Sequence, residues 1–234
     1  MKKWMVAIVA LIGCVGFCLF AKSTYTDAVD YQNPIESMGH SYVELNSWSG
    51  SEENFATMEQ EAGIVARVRV KKVTGIYWGN LCHVEVLEVY RGDQSLTGKT
   101  VHIFSRAYLH ADILDWVFYT PGILNVMKQG EEYLVFMNPA SLKEGYDPSY
   151  LLPDDMKQPQ NLYFTVDYNG LQSGGFWLNV REVENVIPEE RLEEANDWTY
   201  YRNVADNEII VGSQGDIEAF LEFKHQILNK YLGG

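Results

Sequence analysis

Between Ile64 and Arg91 the chain repeats with a period of two, and that period constrains its fold more than any other feature. Ile64, Ala66, Val68 and Val70 alternate with Val65, Arg67, Arg69 and Lys71. Successive side chains of a strand point to opposite faces, so one face of this run is apolar and the other largely charged. The stretch "TGIYWGN" offers Gly75 and Gly79 for a turn. The alternation then resumes in "LCHVEVLEVYRG", with Val84 and Val86 inward, followed by Leu87 and Val89. This slip of phase between Val86 and Leu87 is the mark of a β-bulge, which bends a strand and increases its twist. A hairpin bent in this way predicts a small, strongly curved sheet or barrel.

The rest of the chain supplies further strands and helices to flank them. "TVHIFS" is a third strand with Val101 and Ile103 inward, and "GEEYLVFMN" is apolar on both faces, as a central or covered strand is. Leu162, Phe164 and Val166 alternate with Tyr163, Thr165 and Asp167 before the turn signal Asn169-Gly170, and "GGFWLNV" follows. A helix opens at Ser51, carries Phe55, Met58 and Ala62 on one face, and closes at Gly63. "IPEERLEEA" reads as a short helix with Pro188 in its first turn. "SQGD" (Ser213–Asp216) fits a capping box, and Ile217, Phe220, Leu221, Leu228 and Tyr231 follow at helical spacing. The expected fold class is mainly β, an OB-like β-barrel with flanking helices, and aromatic residues at 13% suit it.

Four segments in order carry a family resemblance: "EAGIVARVRVKKV", "CHVEVLEVYRGD", "GKTVHIF" and "LNVMKQGEEYLVFMN". Together they resemble the bacterial branch of the netrin/tissue-inhibitor-of-metalloproteinase superfamily, over about Glu59–Asn138, roughly a third of the chain. The resemblance implies an OB-type five-stranded barrel in which Arg91-Gly92 simply ends the second strand. It does not carry over metalloprotease inhibition. That activity uses a disulfide-anchored cysteine at a free N-terminus, whereas beyond residue 21 the chain has only Cys82, in mid-strand.

The N-terminus decides the expected compartment. Lys2 and Lys3 precede an uncharged run from Trp4 to Ala21. As a helix at ~1.5 Å per residue it spans roughly 27 Å, close to the ~30 Å of a bilayer core. Three readings stand: an uncleaved anchor, a cleaved signal peptide with Leu19 poorly suited to the cleavage site, and a lipoprotein modified at Cys14 of "LIGC". All three export the body, and the lysines favour an N-terminus inside and a C-terminus outside. The expected division is 1–21 as anchor or signal, 22–50 as a tether becoming ordered towards a strand at "SYVEL", and 51–234 as the exported domain. Thirty-two Asp and Glu against 18 Lys and Arg give a net charge of −14, which repels phosphate backbones and excludes nucleic acid as a partner.

Candidate sites are few. The tripeptide Arg91-Gly92-Asp93 is a motif that cell-surface receptors read, yet a strand that ends in a glycine and a turn accounts for it. His83, His102, His110 and Asp112 are of metal-ligand type but read as solvated surface groups, with His83 and His102 outward; no cofactor is expected. No nucleophile elbow, metalloprotease motif or phosphate loop occurs, so no catalytic residue is assigned. The most suggestive segment is "SRAYLHADILDWVFYTPGILNVM". Its Tyr108, Leu109, Trp116, Phe118 and Tyr119 either cover the barrel end as core or form a patch that docks an extracellular protein, peptide or glycan. The expected function is an exported, membrane-anchored binding or assembly module of a bacterial cell envelope. The alternatives are an extracytoplasmic hydrolase of unidentified mechanism and a passive structural surface domain.

Overall fold

In the computed structural model the predicted hairpin is the longest feature of the protein. The structure describes residues 34–48, 51–76, 79–105, 108–111, 116–119, 123–139, 163–165, 176–188 and 198–233. The expected membrane segment, residues 4–21, lies outside these; among the described residues no helix is long and apolar enough to cross a membrane. In chain order the first elements are helix α1 (Pro34–Met38), strand β1 (Tyr42–Glu44), helix α2 (Ser51–Glu61) and the long strands β2 (Ile64–Ile76) and β3 (Gly79–Arg91). A 3-10 turn (Gln94–Leu96) leads to β4 (Thr100–Ser105), β5 (Tyr108–Ala111), β6 (Trp116–Tyr119) and β7 (Glu132–Pro139). Then come β8 (Tyr163–Thr165), β9 (Phe176–Asn179), β10 (Trp198–Tyr200), α3 (Tyr201–Val204) and α4 (Gln214–Leu232).

β2 pairs antiparallel with β3 along one edge and with β7 along the other. Its register with β3 passes from Val68↔Val86 to Arg67↔Glu88, so Leu87 is the extra residue, at the predicted slip. Two more shifts leave Tyr90 and Lys71 as extra residues. Three irregularities in a pair of 13-residue strands coil the hairpin strongly. The strands also run on into the segment expected to turn. Gly75 pairs with Asn80 and Ile76 with Gly79, so both glycines are strand residues and only positions 77–78, outside the described residues, connect them.

β4 continues the sheet beside β3, and β8 lies parallel to β4. β8 and β9 both pair with β7, through Pro139↔Phe164 and Val135↔Trp177. The first sheet has the order β2-β3-β4-β8-β7-β9, with β2–β7 as an additional pairing. The second has the order β10-β1-β6-β5. The strand expected in "SYVEL" is β1, and it sits inside the second sheet between β10 and β6. The protein is therefore mainly β, with two sheets and few helices.

The core follows the predicted faces. Ala66, Val68 and Val70 of β2, Val84 and Val86 of β3, and Val101 and Ile103 of β4 are all buried. β7 is buried on both faces from Tyr133 to Met137, as its uninterrupted apolar run required. An aromatic cluster joins helices to sheet. Phe136 and Phe176 have ring centroids 4.4 Å apart, Phe55 lies 4.7 Å from Phe176, and Trp48 packs on Phe55, Phe220 and Phe223. Each buried phenylalanine contributes about 1.5–3 kcal/mol through lost apolar surface. Phe55, Met58 and Ala62 form the buried face of α2 and the residue after it, as read from the sequence.

α4 begins at the predicted cap, with Ser213 Oγ accepting from the Asp216 backbone N–H at 3.1 Å. Asp216 also reaches out of the helix: its Oδ1 accepts from the Trp48 N–H at 2.7 Å and from Ser47 Oγ at 3.3 Å. The short helix expected from "IPEERLEEA" falls from residue 189 onward outside the described residues. Residues 182–188 before it are irregular, and Pro188 is buried there.

The tripeptide Arg91-Gly92-Asp93 is used locally. Arg91 Nη2 donates to the Glu59 carbonyl, and Asp93 Oδ1 accepts from the Ser95 N–H at 2.9 Å, capping the 3-10 turn. Gly92 has φ +99°, and a Cβ there would meet Gly63 O at 2.6 Å and Ile64 Cγ1 at 2.9 Å. Gly98 also has positive φ, +77°, but open space around it. Gly92→Ala is therefore expected to destabilise by about 2–4 kcal/mol, through strain plus a backbone clash. Gly98→Ala should cost only about 1–2 kcal/mol of αL strain. Urea denaturation of the two variants checks the difference.

Candidate functional site

β5 and β6 form one antiparallel hairpin that holds all five residues of the expected patch, with Tyr108↔Tyr119, Leu109↔Phe118 and Ala111↔Trp116 in register. Phe118 is 1% exposed, and its ring meets Tyr201 edge-on at 4.6 Å. With Met38, Val43, Leu45, Val126, Tyr201, Val204 and Ile210 it makes the core of the second sheet. Phe118 is thus a packing residue and not part of an exposed patch. The side chains of Tyr108, Leu109, Trp116 and Tyr119 lie outside the described residues.

The histidine pair departs from expectation as well. His83 and His102 do sit opposite one another on neighbouring strands, with ring centroids 4.6 Å apart. They are not solvated, however. His102 is 8% exposed, His83 is half-buried with Nε2 3.5 Å from Thr74 Oγ1, and Thr74 and Leu81 on the same face are fully buried. Alternation tells which face a residue takes, but not whether water reaches that face. The His110 side chain and Asp112 lie outside the described residues, among which no three His, Cys, Asp or Glu converge as metal ligands. Cys82 is 1% exposed, and burial pushes its thiol up to about 12, so it is no nucleophile. Mass mapping after iodoacetamide treatment should find Cys82 unmodified in the native protein and alkylated once urea unfolds it.

The polar groups that do converge lie elsewhere. A cleft of about 190 Å³ opens between the β7–β9 edge and the segments 125–128, 181–183 and 206–208. Tyr133, Trp177 and Asn179 from β7 and β9 form its floor, all nearly buried. Asn125 ties the walls together. Its Nδ2 donates to the carbonyls of Val204, Ala205 and Asn207, and its Oδ1 accepts from Tyr201 Oη and the Val126 N–H. Its own carbonyl accepts from Trp177 Nε1 at 3.0 Å. Asn207 and Asn185 repeat the device. Asn207 exchanges two hydrogen bonds with the Val186 backbone, and Asn185 Oδ1 accepts from the Glu208 and Ile209 N–H groups. Side-chain amides thereby do for irregular backbone what a sheet ladder does for strands.

One of the lining residues, Glu208, belongs to an ion pair almost sealed from water. Lys224 Nζ of α4 donates to Glu208 Oε2 at 2.6 Å and to the Arg181 carbonyl at 2.7 Å. Glu208 Oε1 accepts from the Asn179 N–H at 2.7 Å. Side-chain exposures of 1% and 2% make this a buried pair. Burial raises the Glu208 carboxyl, and the Lys224 ammonium opposes that rise. Around the cleft mouth the ion pairs are more open: Lys128 with Asp206 at 2.8 Å, and Arg181 with Glu131 at 2.7 Å. The Lys128 hydrogen bond holds Asp206 below the usual carboxylate range.

Comparison with known proteins adds nothing to this geometry: a scan against protein-family models and a search of curated proteins both find no match to the chain. Sequence reasoning missed Lys224, Glu208 and Asn125. One signal was available, since Lys224 falls four residues after Phe220, within the apolar stripe of α4. Nothing local to "DNEIIVG" announces that Glu208 meets that lysine.

Lys224→Met is expected to cost about 3–5 kcal/mol, because it leaves Glu208 buried without its cation. Adding Glu208→Gln should recover most of that loss. The sign with pH follows from the raised Glu208 carboxyl. Stability from the protonated group is fully present below the unfolded value and lost as pH rises through the folded one. The deficit of Lys224→Met should therefore shrink as pH is lowered from about 8 to about 5, measured by urea denaturation beside the native chain.

Proposed function

We propose that the protein is an exported, membrane-anchored binding or assembly module of a bacterial cell envelope, whose body is an OB-like barrel. The observation that carries the location is the uncharged run Trp4–Ala21 behind Lys2 and Lys3. The barrel reading draws support from the strand pairings. They run β2–β3–β4–β8–β7 and return to β2, with β4–β8 as the parallel step. OB-type barrels are partly open and take ligands with the loops beside the sheet. Here the cleft beside β7 and β9 gives such a body a concave polar surface. A second reading, a passive structural domain, draws on Phe118, since the aromatic excursion contributes at least that ring to a core.

Fractionation of cells expressing the full chain tests the location. The expected result is a chain that resists alkaline extraction from membranes, retains residues 1–21 by intact mass, and loses its body to protease added outside. A mature chain beginning after residue 21, or one lipidated at Cys14, replaces the anchor with the corresponding export signal. Recovery in the soluble cytosol overturns the reading.

A further inference from the structure

We propose that the cleft over Tyr133 and Trp177 binds a small zwitterion of the amino-acid class. Arg181 and Lys128 would take the ligand carboxylate, and Asp206 and Glu131 its ammonium. This names a ligand class for the site and rests on the reading of the body as a binding module.

Size sets the first limit. The cleft measures about 190 Å³, a size suited to a molecule of a few heavy atoms. The floor sets the second. Tyr133 Oη accepts from the Lys128 N–H at 2.9 Å and Trp177 Nε1 donates to the Asn125 carbonyl. These groups are already occupied, so the floor gives shape more than attraction.

The charges at the mouth give the selectivity. Each open ion pair joins two different segments, Lys128 to Asp206 and Arg181 to Glu131, so the mouth carries charges of both signs. A lone anion would meet the carboxylates of Glu131, Glu182 and Asp206, and a lone cation would meet an ammonium and a guanidinium. A molecule carrying one charge of each sign matches both. The exchange costs little, because Asp206 is fully exposed and Arg181 two-thirds exposed, and ion pairs so placed contribute little to stability. Glu208 also lines the cleft, but its two oxygens are already taken by Lys224 and the Asn179 N–H. A guanidinium is also suited to bidentate contact with a carboxylate.

The test is calorimetric titration of the detergent-solubilised full chain with glycine, alanine and serine, with N-acetylalanine and alaninamide as one-charge controls. Saturable binding of at least one amino acid is expected, weakened about tenfold or more when either ligand charge is removed. Arg181→Gln and Asp206→Asn should each weaken it about tenfold while leaving the urea midpoint near that of the native chain. Absence of saturable binding overturns the proposal. So does binding that is indifferent to acetylation, to amidation and to both substitutions. Either failure leaves the envelope reading untouched, because fractionation measures that separately.

Discussion

The demand placed on β2 organises the molecule. This strand gives its backbone hydrogen bonds to β3 on one edge and, from Ile64 to Arg69, to β7 on the other. Strands twist against their neighbours, and an extra residue increases that twist locally. Lys71, Leu87 and Tyr90 are the extra residues of this hairpin. The valine-rich core packs on the apolar face of this hairpin, and β7 is buried on both faces. Gly92 belongs to the same constraint. The chain leaves β3 against the backbone of Gly63, so closely that no side chain fits.

Irregular segments surround this regular part and are held by a different chemistry. Three asparagines place carboxamides where backbone groups would otherwise be buried unpaired. Leaving such a group unsatisfied costs about 1–3 kcal/mol. The same logic applies with larger stakes to Glu208 and Lys224. Taken singly, each would be an expensive buried charge. Together with the Asn179 N–H and the Arg181 carbonyl they are satisfied, and they fix α4 to the sheet at one position. The surface pairs are of another kind. Glu132 accepts from both Arg67 and Arg69 on the charged face of β2, which keeps that face soluble and adds little to stability.

How much of this was legible in the sequence depended on whether the cause was local. The bulge at Leu87, the helix cap at Ser213 and the buried face of α2 each follow from spacing within a dozen residues, and each is found as read. The turn at "TGIYWGN" was placed too broadly, because glycines signal turns but also fit buried strand ends. His102 was assigned the correct face and the wrong environment, since what covers a face is set by distant segments. The cleft was invisible for the same reason. Its walls come from four separate stretches, and Lys224, behind the lining Glu208, looks like one more helix lysine until that partner is beside it.

Parts of the fold that lie farthest apart in the chain are clasped to one another. Tyr42 is paired with Tyr200, the Trp48 N–H is held by Asp216, and Glu59 accepts from Lys230 and Tyr231. A ribosome releases these partners in a fixed order, and the second member of each clasp is made 158 to 172 residues after the first. The hairpin can form early, but Trp48 and α2 must wait for α4 before their apolar faces are covered. Such sequence-distant closure is slow. The length of the wait is written into the topology, independently of how stable the finished body is.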